Sequence, residues 1–189
     1  MTENLARRVA GVYGLPATAL PSKAGLGGLR PTPERTLAAE LATLGYPGMS
    51  HLRPGRKRNP ADVLLSALSA DDLDSRLAEA LPWVVWKYPE MEWSRLASAA
   101  KVNDLQNRLG FVTSVARRLA ESRGEADKAA LLGRQEALLE RSRLVREDTL
   151  CHSSLTRSER RWLDERRPAE ARHWGLLTDL SPEHLSYAD

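Results

Sequence analysis

Residues 101–122 read KVNDLQNRLGFVTSVARRLAES and contain the clearest helical signal in this 189-residue chain. Apolar residues separated by alternating steps of four and three form one stripe along a helix: Leu105, Leu109, Val112, Ala116 and Leu119. The stripe predicts an amphipathic helix over about 104–122, with its apolar face packed against other helices.

Signals for further helices occur from residue 32 onward, whereas no run of alternating β-branched residues indicates a sheet. Side chains that can cap the free amide groups of a helix N-terminus stand at Thr32, Asn59, Ser69, Thr156 and Ser181. Thr156 and Glu159 also have the spacing of a capping box. The sequence therefore predicts an all-α fold, a compact multi-helix bundle with helical N- and C-terminal extensions.

The positions of these helices follow from their periodicity and their start signals. We expect one helix between Thr32 and Gly45, and others over 60–68, 70–81, 89–100, 125–148 and 157–167. Pro82 is expected to bend the chain, because a proline within a helix removes a backbone hydrogen bond. Leu131, Leu138 and Val145 are seven residues apart, with Leu132 and Leu139 beside them, and this spacing predicts a packing seam along the helix at 125–148.

The chain is predicted to have three segments. These are a short helix and flexible linker at 1–31, a helical core domain at 32–155, and a C-terminal helical extension at 156–189. The glycines within residues 25–28 favour a linker, and they follow no strand and precede no lysine of the kind found in phosphate-binding loops. Residues 149–155 are expected to form a polar connection between helices.

Composition limits the function classes that the chain can serve. The 28 lysines and arginines against 25 aspartates and glutamates give a formal charge of +3, which by itself does not indicate nucleic-acid binding. Cys151 is the only cysteine, so no internal disulfide can form and a reducing compartment is favoured. No apolar run approaches the roughly 20 residues of a membrane span. We therefore expect a cytoplasmic protein that does not contact the membrane.

The sequence contains no recognisable catalytic or metal-binding motif. Cys151 and His152 are adjacent, and side chains of neighbouring residues usually point apart, so this pair does not predict a nucleophile with its base. The four histidines lack the spacing of metal ligands. The sequence therefore predicts a non-enzymatic protein with no catalytic residue, metal or cofactor.

Three polar residues in the first turn of the helix at 104–122 are candidates for DNA binding. A shorter helix and a brief turn precede Gln106, Asn107 and Arg108, which is the outline of a helix-turn-helix. Gln and Asn can pair with adenine edges and Arg with guanine. Asn107 lies roughly 200° around the helix from Leu105 and is expected to be the most exposed of the three.

Two other interpretations fit the same three residues. They can belong to a buried or interfacial polar network, or they can simply face solvent. In either case Asn103 and Asp104 are expected to cap the helix, and Arg108 is expected to pair with Asp104 four residues earlier.

The segment 52–60, LRPGRKRNP, is predicted to be a basic loop. It carries Arg53, Arg56, Lys57 and Arg58, which are candidates for contacts with DNA phosphates. A solvated loop without a ligand explains the same residues.

The segment 81–93, LPWVVWKYPEMEW, contains Trp83, Trp86 and Trp93, three of the five tryptophans in the chain. These residues are candidates for binding a protein partner. Packing in the core is the competing interpretation, because large aromatic side chains at a corner between helices bury much apolar area. The cluster lacks the interleaved basic residues of surfaces that stack unpaired bases.

Two stretches carry a resemblance to known proteins. Residues 5–21, LARRVAGVYGLPATALP, resemble the closing helix of Cro/Xre-type regulators, and residues 79–111, EALPWVVWKYPEMEWSRLASAAKVNDLQNRLGF, resemble the C-terminal region of bacterial transcriptional regulators from toxin–antitoxin or phage-defence loci. In that family a DNA-reading helix-turn-helix precedes the closing helix, and no such motif precedes residue 5 in this sequence. The resemblance implies a regulatory or antitoxin-like protein whose main surface binds another protein, with DNA as a possible second ligand. A structural or adaptor subunit of a larger assembly is the alternative.

Overall fold

The computed structural model describes residues 3–20, 22 and 29–185, and these residues form a bundle of α-helices. The described part contains nine: α1 (Glu3–Val12), α2 (Glu34–Leu44), α3 (Pro60–Leu68), α4 (Ser75–Lys87), α5 (Trp93–Val102), α6 (Gln106–Ser122), α7 (Ala126–Glu140), α8 (Arg157–Arg166) and α9 (Ala169–His173). Short 3₁₀ helices occur at Ala17–Ala19, Pro47–Met49 and Pro182–His184. The predicted all-α bundle is confirmed. The glycines within residues 25–28, predicted to form a linker, lie outside the described residues.

Helix α6 is the central element of the bundle. Thirteen of its 17 residues are buried, including every residue of the predicted apolar stripe that lies within it. It packs against α4, α5, α7 and α9. Because other elements cover α6 on several sides, its first turn is buried too, although that turn carries three polar residues.

Local capping signals located some helix starts correctly and others incorrectly. Asn59 caps α3, and the Thr156 capping box begins α8, as predicted. Thr32 does not cap α2, because its hydroxyl forms a hydrogen bond with the hydroxyl of Ser66 on α3. Ser181 also makes no capping bond to the 3₁₀ helix that follows it.

Helix α4 contradicts the prediction of a helix at 70–81 that bends at Pro82. It begins at Ser75, where the side chain of Asp74 caps it, and Pro82 lies inside one continuous helix. An interior proline costs about 3 kcal/mol, whereas burial of one large apolar side chain contributes about 1.5–3 kcal/mol. Continuing α4 through the proline buries Trp83, Val84 and Val85. Their burial outweighs the cost of the missing hydrogen bond.

Pro89 precedes α5 instead of lying in its first turn, as the sequence suggested. Helix α5 begins at Trp93, and the indole Nε1 of Trp93 donates a hydrogen bond to the carbonyl oxygen of Pro89 at 2.7 Å. The turn between α4 and α5 is therefore fixed by an aromatic side chain that is itself buried.

Helix α7 ends at Glu140, eight residues before the predicted end at 148. Val145 is 98% exposed, so the predicted seam is wrong at its C-terminal end. Leu132 and Leu139 are buried in the core, and the partly buried Leu138 packs against it.

The chain beyond α7 forms a short parallel sheet that the sequence did not predict. Strand β1 (Asp148–Thr149) pairs with strand β2 (Leu176–Leu177), with Asp148 opposite Leu176 and Thr149 opposite Leu177. Thr149, Leu150 and Cys151 are buried, so the expectation of a polar connection at 149–155 is wrong at its start. The sheet brings α9 against α6.

Trp174, at the end of α9, lies directly on Gly110 of α6. A Cβ atom added at Gly110 would lie 2.3 Å from the indole of Trp174, which is fully buried. Glycine is therefore required here because the indole occupies the position of a side chain.

This contact predicts opposite effects of the same substitution at two helical glycines. Gly110→Ala is expected to lower the free energy of unfolding by about 1–3 kcal/mol, because the new methyl group overpacks the core. Gly133→Ala on α7 is the matched control, since its Cβ would meet only Arg117 Cδ at 3.5 Å. It is expected to raise stability by up to about 1 kcal/mol. Urea denaturation measures both, and equal effects would contradict this packing.

Candidate functional site

The three candidate DNA-reading residues at the start of α6 lie inside the protein. Gln106, Asn107 and Arg108 are 4%, 2% and 8% exposed. The prediction that Asn107 is well exposed is wrong, because the chain after α7 covers it. Side chains in this position cannot reach a base edge in a DNA groove. The structure agrees instead with the interpretation that these residues belong to a buried polar network.

Arg108 joins three separate parts of the fold through one guanidinium group. Its Nε and Nη2 atoms each donate to the carboxylate of Asp148 at 3.0 Å. Its Nη1 atom donates to the carbonyl oxygens of Leu68 at 2.8 Å and Ala70 at 3.0 Å. The carbonyl groups that remain free at the end of α3 are thereby paired, and β1 is held against α6.

The predicted partner of Arg108, Asp104, lies elsewhere. Asp104 has a positive φ of 57° and is exposed, and it pairs with Arg146 at 3.6 Å. Burial alone would lower the pKa of Arg108, but its hydrogen bonds with Asp148 and the nearby negative charge raise it. Arg108 is therefore a buried cation that is paired with a carboxylate and hydrogen-bonded to backbone carbonyl groups.

Asn107 holds the chain that follows α7. Its Nδ2 atom donates to the carbonyl oxygen of Leu144 at 2.9 Å, and its Oδ1 atom accepts from the Leu144 amide at 2.8 Å. The side-chain amide thus pairs with the backbone as a neighbouring strand would. Gln106 differs, because its buried Oε1 atom has no hydrogen-bond partner among the described residues.

Cys151 is buried beside this network. Its Sγ atom donates to the carbonyl oxygen of Ala67 at 3.4 Å and lies 3.8 Å from Nη1 of Arg108. Burial raises the pKa of the thiol to about 11, although the charge of Arg108 opposes this shift. The group is therefore a neutral thiol at pH 7 and a poor nucleophile. His152, the adjacent residue, is exposed and does not pair with it.

The predicted basic loop has a defined place on the surface. The amide of Gly55 donates to the carbonyl oxygen of Ala39 at 3.1 Å, which fixes the loop on α2. Arg53, Arg56 and Lys57 are exposed on either side of this contact.

Arg58, the fourth candidate in the loop, has a structural role. Its guanidinium pairs with the buried carboxylate of Glu40 at 3.0 Å and donates to the hydroxyl of Thr32. Burial raises the pKa of Glu40, and the charge of Arg58 opposes that shift. Since Arg58 is engaged with Glu40, it is not well placed to bind a phosphate.

Helix α1 adds a further cation to the exposed residues of the loop. Arg7 Nε donates to the carbonyl oxygen of Lys57 at 3.0 Å. Desolvation lowers the pKa of Arg7, and the charges of Arg56 and Arg58 lower it further. We call Arg7, Arg53, Arg56 and Lys57 the basic surface. Sequence reasoning missed Arg7, because the residues in this contact are 50 positions apart and no local pattern links them.

The end of α1 exposes apolar side chains next to the basic surface. Val12 is 79% exposed, Tyr13 is 72% exposed and Leu15 is 40% exposed. Val12 is five residues beyond Arg7, which is about 8 Å along a helix axis. We call Val12, Tyr13 and Leu15 the apolar tip.

The three candidate partner-binding tryptophans mostly serve the core. Trp83 and Trp93 are buried, and Trp83 packs edge-on against Tyr46 with ring centroids 5.3 Å apart. These two residues cannot contact a partner in this arrangement, and they agree with the core-packing interpretation.

Trp86 is only partly buried, but its ring already contacts other side chains of the same protein. The Nε1 atom donates to Glu125 at 2.6 Å. The cations of Arg123 and Lys128 lie 4.5 Å and 4.1 Å from the ring centroid. These contacts join α4 to the start of α7.

Comparison with protein-family models, with curated proteins and with solved structures gave no match for this chain. Within the described ranges, none of the helices has the length and apolar character needed to cross a membrane. The same part of the chain has no group of three or more His, Cys, Asp or Glu side chains arranged to hold a metal ion.

The buried thiol predicts a specific loss of stability at alkaline pH. Because the pKa of Cys151 is raised from 9.0 in the unfolded chain to about 11 in the fold, the unfolded state releases its proton first. The stabilising contribution is complete below pH 9 and falls as the pH rises from 9 to 11. Between these values the wild-type protein is expected to lose about 2–3 kcal/mol more than Cys151→Ala. Urea denaturation measures this, and parallel losses would contradict the burial of the thiol.

Proposed function

We propose that this chain is a non-enzymatic regulatory protein of the antitoxin or transcription-regulator type that binds an acidic partner protein. The binding region is the basic surface together with the apolar tip of α1. The observation that supports this proposal best is the hydrogen bond from Arg7 to the carbonyl oxygen of Lys57, which holds α1 beside the basic loop.

The charges of the basic surface favour an anionic ligand. Arg7 lies close enough to Arg56 for the two charges to disfavour each other, which lowers the pKa of Arg7 in addition to desolvation. Carboxylates of a partner would add charge-assisted hydrogen bonds to the guanidinium groups. Attraction between opposite surface charges would also speed association.

The apolar tip favours a protein over a nucleic acid. Tyr13 and Val12 are largely exposed, and contacts with phosphate groups would leave these side chains in water. Tyrosine and arginine are enriched in protein–protein interfaces, where an apolar centre is surrounded by polar residues. The candidate base-reading residues of α6 are buried, so they do not support specific DNA binding by this surface.

The proposal is tested by capture from an extract of the source cells, followed by an affinity measurement on the purified partner. Neutralising three cations with Arg53→Gln, Arg56→Gln and Lys57→Gln is expected to weaken binding about tenfold or more, because charge-assisted contacts are lost. Val12→Ser with Tyr13→Ser is expected to have a similar effect through lost apolar contact. The binding of the wild-type protein should weaken with salt.

A variant with the same change of charge on other surfaces provides the control. Lys101→Gln, Arg157→Gln and Arg161→Gln also neutralise two arginines and one lysine, all exposed, and should bind like the wild type. The proposal fails if no stoichiometric partner is captured, or if the variants of the basic surface and apolar tip bind normally. Binding to a DNA duplex that requires the three loop cations but not Val12 and Tyr13 would replace the protein partner with DNA.

A further inference from the structure

A small pocket lies on the surface between the start of α4, strand β2 and α8. Its cavity volume is about 230 Å³. Leucine side chains from four parts of the chain form its walls: Leu73, Leu150, Leu163, Leu177 and Leu180. All of these except Leu73 are buried, so the walls belong to the folded core and do not depend on a surface loop.

The lining of this pocket includes acidic side chains. Glu79 of α4 and Asp179, which follows β2, line it together with His152. His152 is itself within electrostatic reach of Asp72 and Glu159. No lysine or arginine of the described chain is among the lining residues. Carboxylates therefore outnumber basic groups around an apolar cavity.

We infer that this pocket binds a primary ammonium group on an unbranched aliphatic stem of about four or five carbons. The stem would lie against the leucine walls and release water from apolar surface. The ammonium group would remain at the opening beside the carboxylate of Asp179, where charge-assisted hydrogen bonds are available. Both the lysine side chain of a partner protein and a free aliphatic amine have this chemistry.

The size and charge of the pocket exclude other ligand classes. Pockets for drug-sized molecules usually have volumes of about 300–1,000 Å³, and this one is smaller. Phosphates and carboxylic acids would meet the exposed carboxylate of Asp179, and no lysine or arginine lines the pocket to attract them. A neutral alcohol would bury the same stem but would lack the attraction of the carboxylates.

A titration followed by ¹⁵N–¹H NMR tests this inference on the full chain. Pentylammonium chloride is expected to shift amide signals within 73–79 and 177–180. 1-Pentanol has the same stem without the charge and should bind about two- to fivefold more weakly, and sodium pentanoate should cause no shift at these residues. Asp179→Asn should weaken pentylammonium binding about two- to fivefold.

The control variant is Asp127→Asn, which removes another exposed carboxylate, on α7, and should leave the affinity unchanged. Asp179 is exposed, so its substitution should leave the thermal unfolding curve unchanged. The inference is overturned if pentanol binds as tightly as pentylammonium, if Asp179→Asn binds like the wild type, or if the shifted amides lie elsewhere.

A parallel titration with Nα-acetyl-lysine amide distinguishes the two sources of the ligand. Tighter binding than pentylammonium assigns the pocket to a lysine side chain presented by a partner, whereas weaker binding assigns it to a free amine. In either case Asp179→Asn must weaken the binding. If Asp179→Asn leaves the affinity for Nα-acetyl-lysine amide unchanged, the inference is overturned. The proposed function can fail without affecting this test, because the pocket shares no residue with the basic surface.

Discussion

The buried guanidinium of Arg108 is the interaction on which the arrangement of the other elements depends. A cation in the interior is costly unless it is paired and fully hydrogen-bonded. Here its N–H groups donate to both carboxylate oxygens of Asp148. They also donate to the carbonyl oxygens of Leu68, at the end of α3, and of Ala70, just beyond α3. These partners come from elements far apart in sequence, so satisfying one side chain fixes α3, α6 and β1 relative to each other.

The position of the C-terminal part of the chain depends on this ion pair. Once Asp148 is held, β1 can pair with β2, and the residues just before β2 bring Trp174 onto the flat surface at Gly110. The walls of the leucine pocket come from the same elements, because Leu150 follows β1 and Leu177 belongs to β2. The basic surface is independent of this network, since α1, α2 and the loop after α2 form it.

The sequence was sufficient to predict the structure where neighbouring residues determine it. Helices α3 and α8 begin at residues whose own side chains cap them, and the spacing of leucines in α6 is visible within one segment. It was insufficient where the deciding partner is distant. Asn107 holds the chain that follows α7 by binding the backbone of Leu144, 37 residues away, and nothing between them signals that contact. The basic loop was found from composition, whereas its link to Arg7 required the fold.

A double-mutant cycle on Arg108 and Asp148 tests the central claim most directly. Arg108→Met, Asp148→Ala and the double variant are compared by urea denaturation, with the exposed pair Arg143 and Glu140 as reference. If the buried ion pair holds the fold together, we expect a coupling energy of about 2 kcal/mol between Arg108 and Asp148. The expected coupling energy of the exposed pair is less than about 0.5 kcal/mol. Equal small coupling energies in the two cycles would show that Arg108 does not hold the fold together.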